Sequence, residues 1–583
     1  FFFETQVMEQ PQKKARTIDY HQQVNSHEYY TQGMKASGDQ VVKSSDRFVP
    51  VLSRPHDSVL TKADFAKIST GKYKTTWKGC TLMKSPLDLV LYARILEELR
   101  PRTIFDFGTC FGGSSLWLAD QAEALGLKDF KVVTFDREDM RSKPTREHPR
   151  IEFVLGDLFQ LNECLPPKWL ASLPHPWLLI EDAHANVYPL LCHLHVFGMQ
   201  PGDYFFVDDT HPSLPNGFLG TEDFDKTGFG IEKYQEVRPF LALASLEYVL
   251  DTDLLDMFGF NGTQAANGIL KRVTPTETAN ILFYRQWSDL CRADLMQSLA
   301  EFGHLVLRPE FNLDKSSAPS LEQVINKLGL VASDCYKGTK LHPMDAEGRC
   351  HISTSYDPLQ AVPPHHELTY AKNSPDVIVF ICITPPEDLP SNVPNTRGET
   401  TLCDSKMALT LLDPKVRQRL EKEPVIYRST LKSAVKNPDL APIMTWQGRL
   451  NVGDSVEEAS AELVRRGYTV VHQSADELVY DYSSLLVKED RLIAPDLSHF
   501  INKDTLAPKT YKLMWENDAS AFAKDTAIEI IEAYGRSRLH FRWSKCAEVL
   551  IIDNRKVAHG TSYSVGTWDI RAVFGNFPEE PAI

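Results

Sequence analysis

The sequence lacks three features, and each absence excludes a class of protein. Its longest strongly apolar run, Val377 to Ile383, is far shorter than the roughly 20 residues that cross a bilayer. No two of its ten cysteines lie closer than Cys335 and Cys350, so CxxC metal or redox motifs and secreted disulfide scaffolds are not indicated. The sequence also has no excess of positive charge: 63 Lys and Arg stand against 78 Asp and Glu, a net charge of −15, whereas nucleic-acid backbones bind basic surfaces. The sequence therefore predicts a reduced, cytoplasmic setting with no nucleic-acid or membrane partner.

The length of 583 residues predicts two or three domains, because one hydrophobic core rarely supports so long a chain. Residues 1–55 are polar and show no sustained period, which predicts an N-terminal arm. Residues 56–273 alternate short apolar strands with amphipathic stretches, as βαβ units do. In residues 276–583 strands dominate and helical segments interrupt them, which favours a jelly-roll barrel over a doubly wound sheet.

Each of four predicted strands in the first half is followed by acidic residues. They are Asp106, Asp136, Glu181 with Asp182, and Asp208 with Asp209. In an open parallel sheet ligands bind at the carboxyl ends of the strands, so these acids are expected to line one crevice. The alternative is a set of solvated loop carboxylates.

A glycine-rich turn from Gly108 to Ser114 leads from the first of these strands into a predicted helix. Glycines permit close approach of the backbone, and a helix N-terminus offers free N–H groups. Such turns are as often structural as functional. Asp136 favours a nucleotide, because an acid at the end of the next strand can bind both ribose hydroxyls. Asp157, after the third strand, is placed to contact an adenine.

With these motifs, residues 56–273 resemble the cephalosporin-hydroxylase-type branch of class I S-adenosylmethionine-dependent methyltransferases. The matching stretches are DFGTCFGGSSLWLAD (106–120), EDAHANVYPLL (181–191), PGDYFFVDDTH (201–211) and NGILKRV (267–273). The resemblance implies an α/β Rossmann-like fold that binds S-adenosylmethionine and Mg²⁺, and a family that often forms homo-oligomers.

The resemblance also implies roles for single residues. Gly108, Gly112 and Ser114 would line the methionine end of the cofactor, Asp136 would hold its ribose, and Asp106 and Asp157 are further candidate contacts. Asp182, Asp208 and Asp209 would bind Mg²⁺, with Asp182 as a catalytic residue. The physical chemistry agrees, because three converging carboxylates would repel one another without a cation and hard oxygen ligands suit Mg²⁺. His184 and His211 flank these acids, as candidate bases or as hydrogen-bonding loop residues.

A second candidate site lies at His365 and Glu367, with His559 as a third member. Two imidazoles and one carboxylate leave open positions on Fe(II), the geometry of non-haem oxygenases. Residues i and i+2 of a strand face the same side, so we assign His365 to the metal and His366 to a supporting role. The alternative is a structural ion pair at a barrel edge.

The wider motifs make residues 276–583 resemble the TauD/TfdA superfamily, nearest its clavaminate-synthase-like members. They are VPPHHELTY (362–370), RGETTLCDSK (397–406), IMTWQGRL (443–450) and VLIIDNRKVAHG (549–560). The resemblance implies a double-stranded β-helix in which His365, Glu367 and His559 bind Fe(II), and the bound iron reacts with O₂. It implies that Thr400 and Arg571 hold the distal carboxylate of 2-oxoglutarate.

Two departures from that family stand out. HGT (559–561) replaces the usual HGR, and RGET (397–400) replaces GGET. Glu367 itself argues against halogenation, because halogenating relatives have a small residue there.

The combined prediction is a bifunctional enzyme of natural-product metabolism: a jelly-roll dioxygenase that hydroxylates, desaturates or cyclises a small molecule, preceded by a Mg²⁺-assisted O-methyltransferase. Oxidation followed by methylation would give a net methoxylation, and the reverse order is open. The alternative is an active dioxygenase whose methyltransferase-like domain is a non-catalytic scaffold. A non-enzymatic adaptor finds no support in the sequence.

Overall fold

The computed structural model describes residues 47–214, 231–333, 351–352, 361–386, 399–440, 444–501, 511–563 and 568–578. Most of the predicted N-terminal arm lies outside these ranges, as does Arg397 of the RGET motif. Residues from Phe48 onward belong to one compact unit. No helix among the described residues is long and apolar enough to cross a membrane.

The first half of the described chain is built on an eight-stranded sheet. Its strands, together with the separate hairpin β2/β3, are β1 (Phe48–Pro50), β2 (Thr76–Trp77), β3 (Cys80–Thr81), β4 (Thr103–Phe107), β5 (Lys131–Asp136), β6 (Ile151–Leu155), β7 (Trp177–Glu181), β8 (Tyr204–Val207), β9 (Tyr248–Asp251) and β10 (Ile269–Arg272). The helices are α1 (Lys62–Lys72), α2 (Pro86–Leu99), α3 (Gly113–Ala124), α4 (Lys143–Glu147), α5 (Leu161–Cys164), α6 (Pro167–Leu170), α7 (Val187–Phe197), α8 (Ile231–Leu243) and α9 (Thr252–Leu255).

The strand order of this sheet is β1-β9-β10-β8-β7-β4-β5-β6. The run β8-β7-β4-β5-β6 is parallel, and β10 is antiparallel to both β8 and β9. Strands β4, β7 and β8 are short apolar runs buried on both faces, as parallel strands between helices are. The predicted strands are therefore confirmed, and their carboxyl ends meet at one edge.

The second half contains three larger sheets. Its strands are β11 (Ile281–Tyr284), β12 (His304–Pro309), β13 (Val331–Ala332), β14 (His351–Ile352), β15 (Val362–His365), β16 (Val377–Thr384), β17 (Thr400–Asp404), β18 (Val425–Lys432), β19 (Thr469–Gln473), β20 (Glu477–Ser484), β21 (Val487–Lys488), β22 (Arg491–Leu492), β23 (Tyr511–Trp515), β24 (Arg538–Leu539), β25 (Val549–Asp553), β26 (Val557–Thr561) and β27 (Asp569–Asn576). The helices are α10 (Arg292–Phe302), α11 (Leu321–Leu328), α12 (Ser405–Leu411), α13 (Pro414–Lys422), α14 (Trp446–Leu450), α15 (Val456–Arg465), α16 (Ser498–Ile501) and α17 (Lys524–Arg536).

Two of these sheets form the walls of the barrel. One has the order β11-β12-β25-β16-β27-β13, with β14 also on β27, and the other has the order β15-β26-β17-β24. Between them lies an inner barrel core that includes Ile378, Phe380, Leu402, Trp543, Leu550, Ile570, Ala572 and Phe574. Alternate residues of the larger sheet form an outer core with α10 and α11, including Val377, Val379, Ile381, Leu295, Leu299, Val324 and Val573. The strand alternation therefore defines an inner and an outer face.

The long connection between β17 and β25 contains a sheet of its own, in addition to the predicted helical insertions. Its order is β19-β20-β18-β23, and α14 and α15 share a small core with it. Residues Val425, Tyr427, Ser429 and Leu431 of β18 are buried in strict alternation. This period of two is the sequence signal for the strand.

The two halves share one hydrophobic core. Tyr563, just after β26, packs with Tyr188 and Cys192 of α7, and its hydroxyl lies 3.1 Å from that of Tyr188. Arg538 pairs with Glu247 through two 3.0 Å contacts. The methyltransferase-like and barrel halves are therefore packed directly against each other.

Candidate active sites

The three predicted iron ligands come together inside the barrel. Nε2 of His365 lies 3.9 Å from Oε2 of Glu367, and Nε2 of His559 lies 3.8 Å from the same atom. One ligand atom of each residue falls within 4.8 Å of the others. His365 and His559 are direct partners across the antiparallel pair β15/β26, which brings residues almost 200 positions apart into one site.

The local sequence explains how His365 is oriented. Pro363 and Pro364 cannot donate to the strand ladder, and the pairing of β15 with β26 shifts register between Val362 and His365. The ring N–H at Nδ1 of His365 donates to the Pro363 carbonyl at 3.0 Å. That bond fixes the tautomer and leaves the lone pair of Nε2 toward Glu367.

His366 directly follows the last residue of β15 and points away from this cluster, which agrees with the supporting role predicted for it. Its Nε2 lies 3.0 Å from Oγ of Ser405, and its backbone N–H donates to the carbonyl of Ala494. Burial lowers the pKa of His366 to about 3, so the ring is neutral. Its role is to fasten the strand to the neighbouring helix α12.

The two residues predicted to bind 2-oxoglutarate lie on opposite faces of the barrel sheets, one inner and one outer. Thr400 is paired with Thr561, and Leu402 with His559, so Thr400 shares the inner face with the histidine. Oγ1 of Thr400 accepts a 3.0 Å hydrogen bond from the indole of Trp543.

Arg571, by contrast, is the cross-strand partner of Ile381, whose side chain belongs to the outer core. Its guanidinium binds Asp569 at 3.1 Å and is about one third exposed. The structure therefore does not bring Arg571 to the metal cluster, because residues of β27 on the inner face are the even-numbered ones.

The glycine-rich turn of the first half borders a cavity of about 590 Å³ at the carboxyl edge of the sheet. Gly108 and Thr109 donate their N–H groups to the carbonyl of Phe135, and the N–H of Cys110 binds Oδ2 of Asp136 at 2.8 Å. A Cβ on Gly108 would lie 2.7 Å from the carbonyl oxygen of Asp182. The turn therefore needs glycine for packing, and it places Asp136 at the cavity.

Four of the predicted cofactor contacts line this cavity, namely Gly108, Ser114, Asp136 and Asp157. Asp106 and Gly112 do not. Asp106 is fully buried beneath the turn, where it accepts hydrogen bonds from Ser114 at 2.7 Å and Ser115 at 2.6 Å. Asp106 therefore stabilises the start of α3 and does not contact the cavity. Gly113, and not the predicted Gly112, lines the cavity.

The acids at the strand ends divide into two groups. Asp182, His184 and Asp209 lie within metal-ligand reach of one another, with Nε2 of His184 3.2 Å from Asp182 and 3.3 Å from Asp209. Asp208 is outside this group: its Oδ2 accepts 2.6 Å hydrogen bonds from Nζ of Lys84 and the hydroxyl of Tyr92, and the same Nζ bonds Asp182 at 2.7 Å. Lys84 therefore bridges Asp182 and Asp208, and His184 is the third member of the group within metal-ligand reach.

Two buried lysines offset the charge that was expected to require a metal. Nζ of Lys84 lies 2.7 Å from Asp182, and Nζ of Lys72 lies 3.9 Å from Asp209. Burial alone would raise the pKa of Asp209, but Lys72 and His184 lower it to about 2. The two ammonium groups thus offset part of the repulsion among the three carboxylates. No spacing or motif in the sequence indicated either lysine.

His211 lies away from the cavity. Its ring packs on Phe65 at 4.2 Å, and its Nδ1 accepts the N–H of Ser213 at 2.9 Å. Burial lowers the pKa of His211 to about 4. Of the two candidate bases, only His184 faces the cavity.

Comparisons with known proteins match the two halves separately. A family model described as taurine catabolism dioxygenase TauD, TfdA family matches residues 270–567. A model described as rhamnosyl O-methyltransferase/CmcI matches residues 70–273. The predicted order, a methyltransferase fold followed by a dioxygenase fold, is confirmed.

Individual relatives each match part of this chain. A rhamnosyl O-methyltransferase of Mycobacterium bovis is 28% identical over 215 residues, which are 34% of this chain and 78% of the relative. A solved CmcI apo structure is 25% identical with a TM-score of 0.28, covering 38% of this chain and 87% of that one. The PvcB protein of Pseudomonas aeruginosa is 13% identical with a TM-score of 0.31, covering 51% and 86%.

Proposed function

Because the chain belongs to the taurine catabolism dioxygenase (TauD/TfdA) family, whose model spans more than half of its residues, we propose that its barrel oxidises a small molecule with Fe(II), 2-oxoglutarate and O₂. We further propose that its N-terminal half methylates a small molecule, with S-adenosylmethionine and Mg²⁺, on oxygen. The observation that carries the proposal is the cluster of His365, Glu367 and His559 on the inner face of the barrel.

The donor set of this cluster fits Fe(II). The closest atoms of Glu367 and the two histidines are 3.8 and 3.9 Å apart, too far to hydrogen-bond one another. Fe(II) bound there would activate O₂ while the 2-oxo acid is oxidatively decarboxylated to succinate and CO₂. The chain positions the ligands through Pro363, and Phe380 packs its ring 5.6 Å from that of His559, which keeps that side of the site apolar.

The cavity of the first half fits S-adenosylmethionine in size, since ligand cavities span roughly 300 to 1,000 Å³. Asp136 lines the cavity and would bind the ribose hydroxyls. The N-terminus of α3 also borders the cavity, through Gly113 and Ser114. Asp182, His184 and Asp209 would hold Mg²⁺, which would acidify an acceptor hydroxyl. Lys84, which also lines the cavity, bonds both Asp182 and Asp208.

A single chain with both sites suits two tailoring steps on one natural product. Oxidation at carbon followed by O-methylation gives a net methoxylation, and the reverse order uses the same two sites. The competing proposal keeps the oxidation and makes the first half a scaffold. The cavity of about 590 Å³ beside Asp136 favours an active methyltransferase.

The test uses the full chain and variants that each remove one site. Candidate small molecules are incubated with S-adenosylmethionine and 2-oxoglutarate, separately and together, and products are weighed by mass spectrometry. We expect gains of about 16 and 14 mass units, one from each half. His559→Ala should lose the first gain and succinate release, while Asp209→Asn should lose only the second.

The two proposals give different results. If the wild-type protein binds no S-adenosylmethionine in calorimetry but still releases succinate, the scaffold reading is correct. If His559→Ala releases succinate at the wild-type rate, the proposed iron site is wrong.

A further inference from the structure

Among the described residues of β27, no cation faces the place where the predicted 2-oxo acid anchor was expected. Side chains of β27 that enter the inner barrel core are Ile570, Ala572 and Phe574, all apolar. Arg571 lies on the opposite face, where its fork is bound to Asp569 through contacts of 3.3 and 3.1 Å. Moving it inside would require a shift of one residue along the strand, which would expose the apolar set.

Arg308 does not fill this place. It lies on β12 two residues from Val306 of the inner core. Its guanidinium is held by Glu277 at 2.7 and 2.8 Å and also pairs with Glu548. Because two carboxylates already neutralise it, it offers little to a third.

The inner face offers neutral donors instead. Thr400 and Thr561 are cross-strand partners, so their hydroxyls lie on the same face, two residues along β26 from His559. Two strand residues span about 6.6 Å, which is of the order of the length of a five-carbon dicarboxylic acid. The HGT sequence, in which Thr561 stands where relatives have arginine, thus supplies a hydroxyl at this point.

Trp543 prepares Thr400 for this task. The indole N–H donates to Oγ1 of Thr400 at 3.0 Å, and Trp543 is fully buried in the inner barrel core. A hydroxyl has one proton to donate and two lone pairs. Since the indole occupies a lone pair, the proton of Thr400 remains for a carboxylate.

We propose that the distal carboxylate of the 2-oxo acid is held by the hydroxyls of Thr400 and Thr561, with Trp543 as a positioning residue, and not by Arg571. The inference rests on the proposed oxidation. Neutral donors bind a carboxylate less strongly than a bidentate arginine does. The barrel should therefore discriminate between 2-oxoglutarate and a 2-oxo acid that lacks the distal charge less sharply than a barrel with an arginine anchor does.

The test measures binding rather than turnover. The full chain is loaded with Mn(II), and 2-oxoglutarate and 2-oxopentanoate, which has a methyl group in place of the distal carboxylate, are titrated by calorimetry. We expect Thr400→Val combined with Thr561→Val to weaken 2-oxoglutarate binding about tenfold or more, because two hydrogen bonds to a charged carboxylate are lost. The same variant should bind 2-oxopentanoate as the wild type does.

Matched controls separate hydroxyl loss from packing. Thr400→Ser with Thr561→Ser keeps both hydroxyls and should bind 2-oxoglutarate within about threefold of the wild type, and Arg571→Gln within about twofold. Trp543→Phe should weaken 2-oxoglutarate and spare 2-oxopentanoate.

Two results would overturn different claims. Selective loss of 2-oxoglutarate binding in Arg571→Gln, with the valine variant unaffected, would refute the neutral anchor alone. Failure of the metal-loaded wild-type protein to bind either acid would refute the proposed oxidation as well.

Discussion

At the scale of single residues, the direction in which a side chain leaves its strand decides what it can do. His365 and His366 are adjacent, yet one faces His559 and the other bonds Ser405 outside the barrel. Arg571 sits at a plausible spacing from His559 but faces the outer core through its partner Ile381. Spacing along the chain is therefore weaker evidence than the face of the strand.

The two adjacent histidines give a sharp test. His365→Ala should abolish tight binding of Co(II), used as a spectroscopic substitute for Fe(II), because one of three ligands is lost. His366→Asn should retain the metal, because Asn can still bond Ser405. Absorbance titration of both variants measures this, and equal losses in the two would contradict the assignment.

Glu399, which precedes Thr400, predicts a pH effect on stability. Burial, and then Glu247, raise the pKa of Glu399 to about 8, above its ordinary value of 4.5. A folded-state pKa above the unfolded one means that the protonated form is favoured by folding, so stability from this group falls as the pH rises from about 5 to 8.

Glu399→Gln stays neutral and should lose this slope. Denaturant midpoints at pH 5.5 and pH 8 should differ less for the variant than for the wild type, with the variant the more stable at pH 8. A difference between the two proteins that does not change with pH would contradict the assignment.

At the scale of elements, the turn before α3 shows why a motif has its glycines. A Cβ on Gly113 would lie 2.1 Å from the carbonyl oxygen of Thr81 in β3, a backbone atom that cannot move alone. The hairpin β2/β3 thus closes over the N-terminus of α3. The sequence pattern places glycines in the turn, but only the packing shows which neighbour requires them.

Gly113→Ala should destabilise the protein by about 1–3 kcal/mol, the usual cost of overpacking. It should also weaken S-adenosylmethionine binding, since Gly113 lines the cavity. Urea unfolding and calorimetry measure the two effects. Gly71→Ala in α1 is the matched control, because nothing lies within 4 Å of its Cβ. It should be neutral or slightly stabilising, and a loss as large as that of Gly113→Ala would show that the close approach is unimportant.

At the scale of the whole molecule, the two halves are packed as one body. Helices α8 and α17 meet where a Cβ on Gly535 would lie 2.6 Å from the carbonyl of Ala242. Arg238 binds Glu532 at 2.7 Å across the same junction. Such contacts hold the two sites at a fixed separation.

This junction predicts one cooperative unfolding transition for the described halves. S-adenosylmethionine should raise the whole transition in calorimetry, because a ligand that binds only the folded state stabilises everything that unfolds with it. Gly535→Leu should lower the transition or split it in two, whereas Lys524→Ala, at an exposed position of α17, should leave it unchanged. Two separate transitions in the wild type, only one of them shifted by the cofactor, would contradict a shared core.

The sequence by itself determined the fold of each half and the order of the halves, because apolar periodicity and motif spacing are local. It also predicted the His365/Glu367 pair, although β15 ends at His365 and Glu367 lies in the turn that follows. Only the tertiary structure decided which acids meet, which histidine joins them, and that Lys72 and Lys84 neutralise them. It also decided that Arg571 faces outward. Those outcomes depend on register and on contacts between distant segments, and no local pattern encodes them.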